Sequence, residues 1–184
     1  MTTGIIVSHC FQDMVSDIEE QAISNIKNLL SSFTGPVLGN MYLKDYHYKQ
    51  REDVKALIPA ECQLDVDLNL NLPNSDHAPG IIENWVKQYN IHTIYIVGFH
   101  YNLCLRGVYN ACEMASKSLP QVHRNNFHAY VIEECTAILH DDGTDVYGSG
   151  AWSTYRNNKI MTVEQYRKID DNVCNIIKLK DINV

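Results

Sequence analysis

The order of apolar runs along the chain constrains its fold more than any other feature. "GIIVSH" (4–9), "VLGNMY" (37–42), "HTIYIVG" (92–98) and "FHAYVIE" (127–133) are short apolar segments suited to buried strands. Amphipathic stretches of helical period lie between them. Ser16 and Glu19 set up a capping box, S-x-x-E, and Ile18, Ala22, Ile23, Ile26, Leu29 and Leu30 then share one face. Pro79 marks a second helix start, followed by Ile81, Ile82, Trp85, Val86 and Tyr89. A third helix follows Cys104 and places Leu105, Val108, Ala111, Cys112 and Ala115 on one side. "KIM" (159–161) reads as one more short strand, and Thr162 with Gln165 can cap a last helix. Strands alternating with helices of this length predict an α/β chain. The expected form is a three-layer α/β/α, Rossmann-like domain with a mainly parallel central sheet.

One segment departs from this pattern. "LDVDLNLNL" (64–72) sets Leu64, Val66, Leu68, Leu70 and Leu72 against Asp65, Asp67, Asn69 and Asn71 without a fault. The period of two predicts a strand with one solvated face, or with one face lining a cleft. No repeat, low-complexity tract or linker interrupts the chain. Residues 1–184 are therefore expected to form a single domain, with 171–184 a C-terminal extension of unassigned structure.

At 184 residues the chain is long enough to bury a core without disulfides or metal. Its net charge of -7 comes with no Lys/Arg cluster, which argues against a general nucleic-acid or anionic-membrane binder. No apolar run approaches the roughly 18 residues of a membrane span. "MTTGIIVSHC" lacks the basic flank and long apolar core of a signal peptide. Six cysteines without CxxC pairs fit free thiols in a reducing cytoplasm rather than a zinc framework. "GSG" (148–150) has no following Lys and is no phosphate loop; Asp45 with His47, and Asp76 with His77, are weak metal signals. No metal or cofactor is expected.

In open parallel sheets, sites lie at the carboxyl ends of strands. Three such ends are candidates: one carries Ser8, His9, Cys10, Gln12 and Asp13, another Asp65, Asp67, Asn69 and Asn71, and a third His100, Asn102 and Cys104. A thiol in the first turn of a helix faces unpaired N–H groups and the positive end of the helix dipole, conditions that favour a thiolate nucleophile. Free cysteine is also among the most buried residue types, so Cys104 equally suits a core position. The cheapest reading of the acids in 64–72 is a solvated strand face, and of the other five cysteines (10, 62, 112, 135 and 174) simple packing.

The segment "IYIVGFHYNLCLRGVYNA" resembles the nucleophile region of the isochorismatase-like cysteine hydrolases: an apolar strand, G-x-x-T-x-x-C-[VL], then a helix with small residues. "GIIVSHCFQDM", "VLGNMYLKDYHYK", "HAYVIEECTA" and "NNKIMTVEQYRKI" are similar, in order, to further segments of that family, so the resemblance covers about residues 4 to 170. It implies a Rossmann-like sheet, assembly into homo-oligomers, and hydrolysis of amide C–N or vinyl-ether bonds in a small-molecule substrate. It also implies a cysteine nucleophile, an aspartate base on the first strand and a lysine on the third. The nucleophile carries over as Cys104. The oxyanion donors would be the backbone amides of His100 and Cys104, with Tyr101 in the place of the family's threonine, Asn102 in the same loop, and a cis peptide at Phe99–His100. The other two residues do not carry over. His9 stands where the aspartate belongs, Asp13 matches the family's second acid, and Asp67 aligns near the missing lysine. Two expectations follow. One is a divergent hydrolase in which His9 serves Cys104 as base and Asp67 orients His9. The other is an inactive relative that binds a small molecule or acts in assembly.

Overall fold

The computed structural model of the chain describes residues 2–12, 16–41, 49–71, 75–139, 160–170, 173 and 175–182. Among them, strands β1 (Thr2–Ser8), β2 (Val37–Asn40), β3 (Ile91–Gly98) and β4 (His128–Ile132) form where the apolar runs predict them. Helix α1 (Asp17–Ser32) opens with the full capping box: the Ser16 hydroxyl accepts from Glu19 N while Glu19 reaches back to Ser16 N. A short α2 (Glu52–Lys55) precedes α3 (Ala78–Tyr89), which carries Pro79 in its first turn and ends on Asn90 in the left-handed conformation. Helix α4 (Arg106–Ser118) follows β3 through a wide π-type turn at Tyr101–Leu105, and α5 (Gln121–Arg124) leads into β4.

The central sheet has five strands in the order β2-β1-β3-β4-β7, where β7 is Ile176–Ile177. Every pairing in it is parallel, as strands buried on both faces require. Side-chain alternation along β1 divides the core. Ile6 points with Ile94 and Ile96 toward Ile82, Val86, Val108 and Ala111 of α3 and α4. Ile5 and Val7 point with Tyr95 and Val97 toward Ala22, Ile23, Ile26 and Leu30 of α1. Each fully buried aliphatic side chain contributes about 1.5–3 kcal/mol, so both layers are held firmly to the sheet. The α/β class, with helices on both faces of a parallel sheet, is as the pattern of runs predicts.

Two sequence expectations are corrected. Residues 159–161 were read as one more short strand; Ile160–Met161 (β6) is one, but it pairs antiparallel with Ile138–Leu139 (β5), outside the central sheet. The fifth place goes to β7, from the segment read as an extension. Asn175, in the left-handed conformation, accepts from Val131 N at 2.9 Å and brings Ile176–Ile177 alongside β4. The last described helix, α6 (Val163–Tyr166), keeps the predicted Thr162–Gln165 capping box.

The second correction is larger. The described part of 64–72 forms no strand. Asp67 Oδ1 accepts from Asn69 N at 2.7 Å, Asn69 Oδ1 accepts from Asn71 N at 3.0 Å, and Asn40 Oδ1 accepts from Leu68 N at 3.0 Å. Short polar side chains thus occupy N–H groups that a strand would give to a ladder. The burial does not follow the alternation either: Asp67 and Asn69 are buried with Leu68, Asp65 and Asn71 are exposed, and Leu64, Val66 and Leu70 are partly exposed.

Candidate active site

The site grows from the ends of two adjacent strands. Ser8 pairs with Gly98 in the β1–β3 register, so the chain leaves both strands side by side at His9 and Phe99. Gly98 has φ of +123°, and a Cβ there would fall 1.7 Å from Ser8 O. Only glycine permits this close approach, which sets the start of the Cys104 loop against the end of β1. The Phe99–His100 peptide is cis, at the position the family resemblance implies. Cys104 then lies in the π-type turn, half-buried, directly before α4.

His9 is wholly buried with φ of 54°, and its ring stacks on Phe11. Its Nε2 donates to Asp67 Oδ2 at 2.8 Å, and Cys104 lies near enough to favour the charged form of the same imidazole. Burial works against a charged ring, but Asp67 and Cys104 outweigh it and raise the His9 pKa to about 10. Burial likewise opposes ionisation of Asp67, yet the bond to His9, with help from Asn69 N and Asn40, carries its pKa below the ordinary value. At neutral pH, His9 is therefore an imidazolium between a carboxylate and a sulfur. By contrast, burial pushes the thiols of Cys112 and Cys135 up, and that of Cys10 to about 12. Those three are enclosed by the core and suited to packing alone.

The irregular segment that supplies Asp67 is latched on both sides. His77 Nε2 donates to Asp67 O at 3.2 Å, and Asn71 Nδ2 donates to Leu103 O at 3.1 Å in the Cys104 turn. Gly107, in the first turn of α4, leaves room for Asn69: a Cβ there would lie 1.7 Å from Asn69 Oδ1. The segment is thereby seated against the helix that follows the thiol.

The remaining predicted positions divide. His100 turns its Nε2 to Glu19 Oε1 at 2.9 Å, and Glu19 Oε2 at once accepts from Ser16 Oγ at 2.8 Å. Tyr101 is buried in the core, and its N–H donates to Ala137 O at 3.0 Å. Asn102 clamps Leu139, donating to its carbonyl at 2.9 Å and accepting from its N–H at 3.3 Å. Asp13 lies outside the described residues, as do Asp45, His47 and the 148–150 loop. Among the described residues, no group of three or more His, Cys, Asp or Glu is placed to hold a metal, and no helix is long and apolar enough to cross a membrane. Sequence reasoning missed Asn40 and Gly107, and saw Asn69 only as one of an alternating row of polar residues. It saw Glu19 as a cap but not as the partner of His100.

No protein-family model and no curated protein sequence matches the chain. Solved structures do resemble it. The isochorismatase of Pseudomonas putida KT2440 superposes with a TM-score of 0.60 at 10% identity, covering 96% of this chain and 86% of that one. A Burkholderia xenovorans LB400 protein, described as a candidate isochorismatase, gives 0.57 at 12% identity over 91% and 76%. At such identities the likeness is one of backbone: the chain has the isochorismatase-like α/β fold, in a sequence that has diverged far from those structures.

Proposed function

We propose that this chain is a cysteine hydrolase of a small molecule, with Cys104 as nucleophile, His9 as acid–base partner and Asp67 as its orienting carboxylate. The observation that carries the reading is the buried His9–Asp67 pair at the carboxyl edge of the sheet, with Cys104 near enough to favour the charged form of the same imidazole. Because His9 holds its proton at neutral pH, its first task is that of a general acid beside an activated sulfur. The Cys104 sulfur adds, as thiolate, to the carbonyl carbon of an amide. His9 passes its proton to the departing amine as the C–N bond breaks, leaving a thioester and neutral imidazole. The neutral ring then takes a proton from water, which attacks the thioester and releases the acid and Cys104. Asp67 stabilises the imidazolium at each stage where it is charged. The backbone amides of His100 and Cys104 are the proposed oxyanion donors. A reducing, cytoplasmic setting and a homo-oligomeric state belong to the same proposal.

Limited iodoacetamide labelling across a pH series, read by mass spectrometry, tests the nucleophile. Cys104 is expected to react well ahead of Cys10 and Cys174, and Cys104→Ala should abolish ammonia release from a panel of small primary amides. Labelling of Cys104 slower than of Cys10 or Cys174 would favour the inactive binding or assembly reading.

A further inference from the structure

We propose that Asn40 is a positioning residue of this site, fixing the Asp67 carboxylate so that one oxygen faces His9. The inference rests on the reading of Cys104, His9 and Asp67 as one working group, and it assigns a part to a residue outside that group.

Asn40 is the last residue of β2, wholly buried and level with Ser8 in the sheet register. Its backbone carbonyl and both side-chain polar atoms face the candidate site. The backbone carbonyl accepts from His9 N at 3.3 Å. The side-chain Nδ2 donates to Ser8 Oγ at 2.8 Å and to Asp67 Oδ1 at 3.3 Å, and Oδ1 accepts from Leu68 N at 3.0 Å. One residue therefore holds the main chain of His9, the main chain just after Asp67 and the Asp67 carboxylate.

The division of labour on that carboxylate gives the arrangement its meaning. Oδ1 is engaged by two neutral donors, Asn40 Nδ2 and Asn69 N, while Oδ2 takes the imidazole. Two donors on one oxygen fix the carboxylate plane and leave the other oxygen aimed at Nε2. No regular strand holds residues 64–71, so Asn40 supplies from β2 the anchorage that a ladder would give. Asparagine suits the task because it carries donor and acceptor on one short, uncharged group. Leucine would fill the space but satisfy neither Leu68 N nor Asp67 Oδ1.

The test uses the intact protein and reads His9 directly, by the nitrogen chemical shifts of its imidazole through a pH titration, assigned with His9→Asn. Wild-type protein is expected to titrate near pH 10 at this ring. Asn40→Ala should lower the midpoint by roughly one unit or more, the scale of a lost partner in a charged pair. Asn40→Ser, which keeps a smaller donor, should lower it less, and stands in if the alanine variant does not fold. A folded Asn40 variant with a lower melting temperature but an unmoved His9 midpoint overturns the proposal. The hydrolase reading fails separately: if His9→Asn leaves the pH profile of Cys104 alkylation unchanged, that reading falls, while the His9 titration still decides the part played by Asn40.

Discussion

Two buried imidazole–carboxylate pairs stand at the ends of neighbouring strands, and they are nearly alike in geometry. His9 meets Asp67 at 2.8 Å beyond β1, and His100 meets Glu19 at 2.9 Å beyond β3. Their surroundings differ. The first pair lies near the Cys104 sulfur, and its carboxylate comes from an irregular segment latched to β2 and to the Cys104 turn. The second shares its carboxylate with the cap of α1, so that one glutamate ends a helix and holds the loop before Cys104. On the proposed reading, the same pair of functional groups serves chemistry in one place and anchorage in the other. Which it does is set by the third partner, a thiol or a helix end.

Substitutions can break that distinction, and the largest effect belongs to the anchoring pair. Glu19→Ala removes the carboxylate half of the capping box and leaves a buried His100 without its carboxylate, and should cost about 3–5 kcal/mol in urea unfolding. Glu19→Gln keeps an acceptor and should change the Cys104 alkylation rate by less than about threefold. An alkylation loss in Glu19→Gln as deep as in His9→Asn would erase the contrast.

The pH dependence of stability should come from the other pair. The folded His9 pKa of about 10 lies above its ordinary value of 6.5, so the stability it contributes is complete below 6.5 and is lost as pH rises through 10. Unfolding measured from pH 6.5 to 10.5 should show stability falling, at no more than about 1.4 kcal/mol per pH unit. His9→Asn should flatten that slope.

Kinetically, His9→Asn should slow Cys104 alkylation at neutral pH by about a hundredfold, the usual scale of a lost acid–base partner. An unchanged rate would reduce His9 to a structural histidine like His100. The smallest effect concerns the seat of the Asp67 segment. Gly107→Ala must displace Asn69, at a cost of about 1–3 kcal/mol in thermal unfolding. It should also slow Cys104 alkylation several-fold by disturbing Asp67, an effect absent if that segment plays no part at the thiol.

Much of this was legible in the chain because it depends on local pattern. The apolar runs at β1, β2, β3 and β4, the caps at Ser16 and Thr162, and the break at Gly98 before Cys104 are short-range signals, each fixed by backbone geometry or a single side-chain bond. His9 and Cys104 stood out because they follow strands that had to be buried. Residues 64–72 were misread because period-two alternation records only which residues are apolar. It cannot show that Asp67 and Asn69 will bond their own backbone, nor that Gly107, nearly forty residues later, will make room for them. The place of β7 was hidden for a related reason: two isoleucines carry too little signal until β4 offers them an open edge.

By itself the sequence determined the parallel sheet, its helices and the thiol at the head of one of them, because hydrophobic period and helix capping act over a few residues. Tertiary structure brings Asp67 to His9, a pairing that only the family resemblance suggested, and Glu19 to His100, which no sequence signal indicated. Asp67 lies 58 residues from His9, and Glu19 lies 81 from His100. Burial excludes the water that would otherwise solvate each charge, so a buried imidazole is stabilised as a cation only where the fold brings an acid to it.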